Sequence, residues 1–89
     1  MTNINRNNEV TFEIVEQLGV LQEYPTGWSK EVNLVSWNGN PAKVDIRDWD
    51  KAHERMSKGI TLSLDEAHKL RSYLNERNLI PTEKYEIER

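Results

Sequence analysis

Apolar residues alternate with polar ones in two short runs, one containing Val32 and Leu34 and the other Val44 and Ile46. A period of two marks β-strands. Five residues, Asn38-Gly39-Asn40-Pro41-Ala42, lie between the runs, and Asn-Gly supplies two residues that tolerate positive φ. Residues 28–37 and 43–49 therefore read as a hairpin. Symmetric closure sets Trp37 opposite Lys43, Val35 opposite Asp45, Asn33 opposite Arg47 and Glu31 opposite Trp49, and opposed residues share a face. One face then holds Trp37, Lys43, Arg47 and Trp49, and the other holds Val32, Leu34, Val44 and Ile46.

The flanking segments complete a sheet and add one helix. Val10, Phe12 and Ile14 alternate, and Leu18 and Val20 continue the strand with a slip in register near Gly19, where a glycine suits a bulge. Helix is the competing reading for residues 13–21. Tyr24-Pro25-Thr26-Gly27 forms a turn, with Pro and Gly at the positions that favour them. Residues 50–57 form a charged connector, and residues 58–62 a short strand with Ile60 and Leu62 inward. Ser63 and Glu66 have the spacing of a capping box. The helix that follows should span residues 64–77, with Leu64, Ala67, Leu70 and Leu74 on one stripe, Tyr73 beside it, and Asn78 as C-terminal cap. The fold class is α+β: a four-stranded curved antiparallel sheet followed by one C-terminal helix, ββββα. Residues 10–78 make the domain, residues 1–9 a flexible arm and residues 79–89 a tail.

Composition narrows what such a domain can be. Eighty-nine residues, 36% hydrophobic and 30% charged, give one small domain with little apolar area to bury. With no cysteine there is no disulfide and no thiolate metal site. A partner subunit is the expected remedy. The first ten residues contain no apolar run, and nothing has the length of a membrane span, so a soluble cytoplasmic protein is expected. A net charge of −3 weighs against nucleic-acid binding. The middle of the chain is less acidic, with Lys30, Lys43, Arg47, Lys51, Arg55 and Lys58 against Glu31, Asp45, Asp48, Asp50 and Glu54.

The indole-bearing face is the candidate chemistry. Aromatic rings beside Lys and Arg are what a single-stranded nucleic acid requires, because bases stack and phosphates pair. Structural packing of the indoles and cross-strand pairing of Arg47 and Lys43 with Asp45, Asp48 or Glu31 are the competing readings. Trp28 shares its face with Val32 and Leu34 and reads as structural. His53 and His68 read as surface histidines, without companions for a metal site. No P-loop and no nucleophile–histidine spacing is found, so neither an enzyme nor a cofactor is expected.

Residues 28–74 resemble the single-stranded DNA-binding domain of the PC4 (transcriptional coactivator p15) family, in its small bacterial, YdbC-like form. The resemblance rests on Val44-Asp45-Ile46-Arg47-Asp48-Trp49, the charged connector, and Lys58-Gly59-Ile60-Thr61-Leu62-Ser63-Leu64. It implies a homodimer paired through the C-terminal helix, with sheets that form grooves for single strands. Carried over by position, it places Arg47, Trp49, Trp37 and Lys58 in the site, and Lys30 near a basic position of the preceding strand. Asn38 and Asn40 stand where eukaryotic members carry lysines, and the Ser- and Lys-rich N-terminal extension of those members has no counterpart here. The resulting expectation is binding of single-stranded DNA, with RNA as a second candidate. Bases would stack on Trp37 and Trp49, and Lys30, Lys43, Arg47, Lys51, Arg55 and Lys58 would contact phosphates. A protein-interaction module and a structured-RNA reader remain the alternatives.

Overall fold

The hairpin forms around its Asn-Gly turn. Asn38 and Gly39 take φ of 53° and 77°, and Asn40 N donates to Trp37 O at 2.9 Å. Positive φ at both central residues gives the tight, right-twisted turn that two-stranded ribbons favour. The computed structural model describes residues 2–5, 10–77 and 79. Its elements are β1 (Thr2–Asn5), β2 (Val10–Glu23), β3 (Ser29–Trp37), β4 (Lys43–Trp49), β5 (Ile60–Leu62) and α1 (Leu64–Arg77). The strands form one antiparallel sheet in the order β1-β2-β3-β4-β5.

Four of these strands and the helix match the pattern read from the sequence. β1 is an addition: Thr2–Asn5, expected within a flexible arm, pairs with β2 as an edge strand. The Asn78 cap and residues 80–89 lie outside the described residues. β2 is strand along its whole length, which excludes the helical alternative. Its ladder with β3 slips three times, between Ile14 and Glu16, Gln17 and Gly19, and Val20 and Gln22. Each slip inserts one apolar residue, Val15, Leu18 or Leu21, and bulges of this kind bend and twist a strand. That is how β2 curves the sheet.

The β3–β4 register differs from symmetric closure by two residues. Trp49 faces Ser29, Arg47 faces Glu31, Asp45 faces Asn33 and Lys43 faces Val35. The Asn-Gly turn closes on Trp37 and Asn40, and residues 40–42 fall outside the ladder. A shift of two preserves side-chain parity. The two faces therefore keep their expected membership while every opposed pair changes.

The faces differ in what they bury. The indole face holds the core, Phe12, Val35 and Trp49, with Ile14, Trp37 and Met56 packed against it. The opposite face carries Val32, Leu34, Val44, Ile46 and Leu62, all half-buried, beneath α1. Ile60 shares this face and is 54% exposed, so it is not inward within a single chain. Helix α1 starts at the expected capping box: Ser63 N donates to Glu66 Oε1 at 2.8 Å, and Glu66 N donates to Ser63 Oγ at 3.0 Å. It buries none of its residues.

Candidate nucleic-acid interface

Asp45 organises the indole face. It is fully buried and accepts from Arg47 Nε at 2.7 Å and Arg47 Nη2 at 2.8 Å, a two-bonded fork, and from Thr61 Oγ1 at 2.9 Å. Charge-assisted forks of this kind fix a guanidinium in orientation as well as position. Arg47 Nη1 also lies 3.4 Å from Ser57 O and 3.5 Å from Met56 Sδ. Held this way, the guanidinium carbon sits 4.7 Å from the centre of the Trp37 ring. Phe12 approaches the same indole at 5.8 Å, tilted by 48°.

Gly59 closes the constellation from β5's side. A Cβ there would collide with Arg47 Cβ and with the Ile46 carbonyl oxygen. The run from Asp45 to Arg47 and the run from Lys58 to Leu62 thus form one contact set, in which an acid anchors both the arginine and Thr61 while a glycine lets the chains approach. Gly59→Ala should cost about 1–3 kcal/mol of stability, the usual cost of overpacking, and a urea melt of the purified protein would measure it.

The candidate residues do not share one surface. Trp37 is half-buried at the end of β3, and Lys43 is exposed at the start of β4 on the same face. Lys51 and Arg55 are exposed on the connector, and Lys58 is exposed just before β5. Arg47 keeps only 13% of its side-chain surface exposed and spends most of its donors on protein atoms. Two assignments change. Trp49 is completely buried, tilted against Phe12 at 5.2 Å and His53 at 5.7 Å, so no base can reach its ring. Lys30 pairs with Asp48 between the odd-numbered pairs of the ladder, which puts it on the helix-covered face, away from Trp37.

Sequence reasoning missed a buried polar group on this face. Glu31 is 3% exposed and accepts from Ser29 Oγ at 2.6 Å and Asn33 Nδ2 at 3.2 Å. His53 Nε2 lies 2.9 Å from one of its carboxylate oxygens and 3.0 Å from the other. Burial alone would raise the Glu31 pKa. Hydrogen bonds from Ser29, His53 and Asn33, with the charge of His53, outweigh it and hold the carboxyl below its ordinary value. Alternation already put Glu31 and Asn33 among the indoles. The approach of His53 depends on how the connector folds, which has no signature in the sequence.

The family model of the transcriptional coactivator p15 (PC4) matches residues 24–73, more than half of the chain. The chain belongs to the PC4 family. A protein of Treponema pallidum (strain Nichols), described as uncharacterized, is 40% identical over 75 residues, covering 84% of this chain and 88% of that one. Membership in PC4, a family of DNA-binding coactivators, supports nucleic-acid binding as the general function. The match begins at Tyr24 and so includes the β2–β3 turn, both hairpin strands, the connector and most of α1. No helix among the described residues is long and apolar enough to cross a membrane.

Proposed function

We propose that this PC4-family chain binds single-stranded DNA with little sequence preference, as a homodimer paired through α1 and without catalysis. The observation that carries the reading is the Trp37–Arg47 stack. An indole with a clamped guanidinium over its ring and Phe12 tilted against it is fixed in place and half-buried, and Lys43, Lys51, Arg55 and Lys58 are exposed cations. Any base offers a π-face to such a ring, so stacking gives affinity without sequence readout. Arg47 acts mainly as the support of Trp37, and phosphate contacts fall to the exposed lysines and Arg55.

The dimer is supported by the uncovered apolar face. A groove of about 580 Å³ runs between α1 and the sheet, lined by Leu18, Leu21, Ile46, Leu62, Leu70 and Leu74 among others. Leu18, Leu21 and Leu74 are each about half exposed, a large apolar surface for a protein of this size. A second copy meeting it across a two-fold axis would supply the core that one chain lacks.

Titration with a mixed-sequence single strand, read by tryptophan fluorescence, tests the reading. The single strand should quench strongly and its matching duplex weakly, and affinity should fall with salt at a logarithmic slope of about −0.7 per phosphate contact. A duplex that competes equally would favour a structured-nucleic-acid reader. A folded protein that responds to neither would leave a protein-interaction module.

A further inference from the structure

We propose that His53 is a positioning residue for nucleic-acid binding: clasped by the buried Glu31 carboxylate, it holds the 50–57 connector, with Lys51 and Arg55, on the indole face. The inference rests on the single-strand reading above and assigns the device that places two of its cations.

The connector is a closed loop in its own right. Asp50 Oδ1 accepts from Glu54 N at 2.8 Å and Arg55 N at 2.9 Å, Asp50 N donates to Arg55 O at 3.1 Å, and His53 N donates to Asp50 O at 3.0 Å. Its base is tied to β4 by a bridge between Trp49 and Met56 and by Ser57 N donating to Asp48 O at 3.0 Å. Its tip has a different anchor. Of residues 51–55 only His53 is partly buried, and its ring reaches across to Glu31 on β3 while lying against Trp49. Lys51 lines a hollow of about 310 Å³ together with Glu31, His53 and Trp28, which places this residue beside the clasp.

His53 adopts φ of 59°, a left-handed conformation uncommon for residues other than glycine. The connector accepts that conformation in the geometry that delivers the imidazole to Glu31. A carboxylate only accepts, so Nε2 carries the proton that is shared between its two oxygens.

Oligothymidylate is the probe, with binding measured at fixed pH and salt. His53→Gly suits the positive φ, so it removes the imidazole without adding backbone strain, and should lose about tenfold in affinity. His53→Gln keeps a side-chain donor for Glu31 and should recover part of that loss. His68→Gln, on the exposed helix, should bind as wild type. Amide exchange of Glu54 and Arg55 reads the connector directly and should accelerate in His53→Gly. Wild-type affinity in His53→Gly, or unchanged exchange in it, overturns the proposal. If the wild-type chain binds no single strand at all, the proposed function itself fails, and the role of His53 in binding falls with it. The exchange measurement would then still decide whether the clasp orders the connector.

Discussion

Trp49→Ala is expected to unfold most of the protein, whereas Trp37→Ala leaves it folded and weakened for single strands. The two indoles share a strand face but not an environment. Trp49 is fully buried beneath the connector, between Phe12 and His53, and it is one of only three buried apolar residues among those described. Removing a buried aromatic costs about 3–5 kcal/mol. A domain of this size has a total stability near the lower end of about 5–15 kcal/mol, so little would remain. Trp37 is half-buried at the strand end, with Arg47 over its ring. Its loss should forfeit about 1–3 kcal/mol per stacked base, or about 5- to 150-fold in affinity. Circular dichroism separates the two mutants and oligonucleotide titration measures the second. A folded Trp37→Ala protein with unchanged affinity would remove that ring from the interface.

Leu70→Glu should convert the proposed dimer to monomer and lower the melting temperature with it. Leu70 lines the groove between α1 and the sheet, and in one chain it is 39% exposed. Burying a leucine contributes about 1.5–3 kcal/mol, and a two-fold interface counts the contact twice. The glutamate adds the cost of an unpaired charge facing Ile46 and Leu62. Dimer affinity should fall by about 100-fold or more. Sedimentation over a concentration series measures it. The exposed control Lys69→Glu on the same helix should sediment as wild type. A wild-type protein that is already monomeric would refute the pairing and leave the apolar face to another partner.

Alternation and turn chemistry settled much of this protein from sequence alone. Period two in residues 32–34 and 44–46 fixed two strands and their faces, because side-chain direction in a strand depends on parity and on nothing distant. Asn38-Gly39 fixed the turn, and Ser63 with Glu66 fixed the start of α1, since both act through bonds within four residues. The Asp45, Arg47, Gly59 and Thr61 pattern marked the family before their contacts were known.

The tertiary structure decided what each of those residues faces. Parity put both indoles on one side of the sheet, yet exposure there depends on what lies across it, and the returning connector covers Trp49 while leaving Trp37 half open. The two-residue offset in the hairpin followed from where the Asn-Gly turn closed within a five-residue gap, which composition does not specify. The Glu31–His53 clasp joins residues 22 apart through a left-handed turn at His53. Contacts of that kind depend on loop closure, and loop closure is a property of the whole fold rather than of any local stretch.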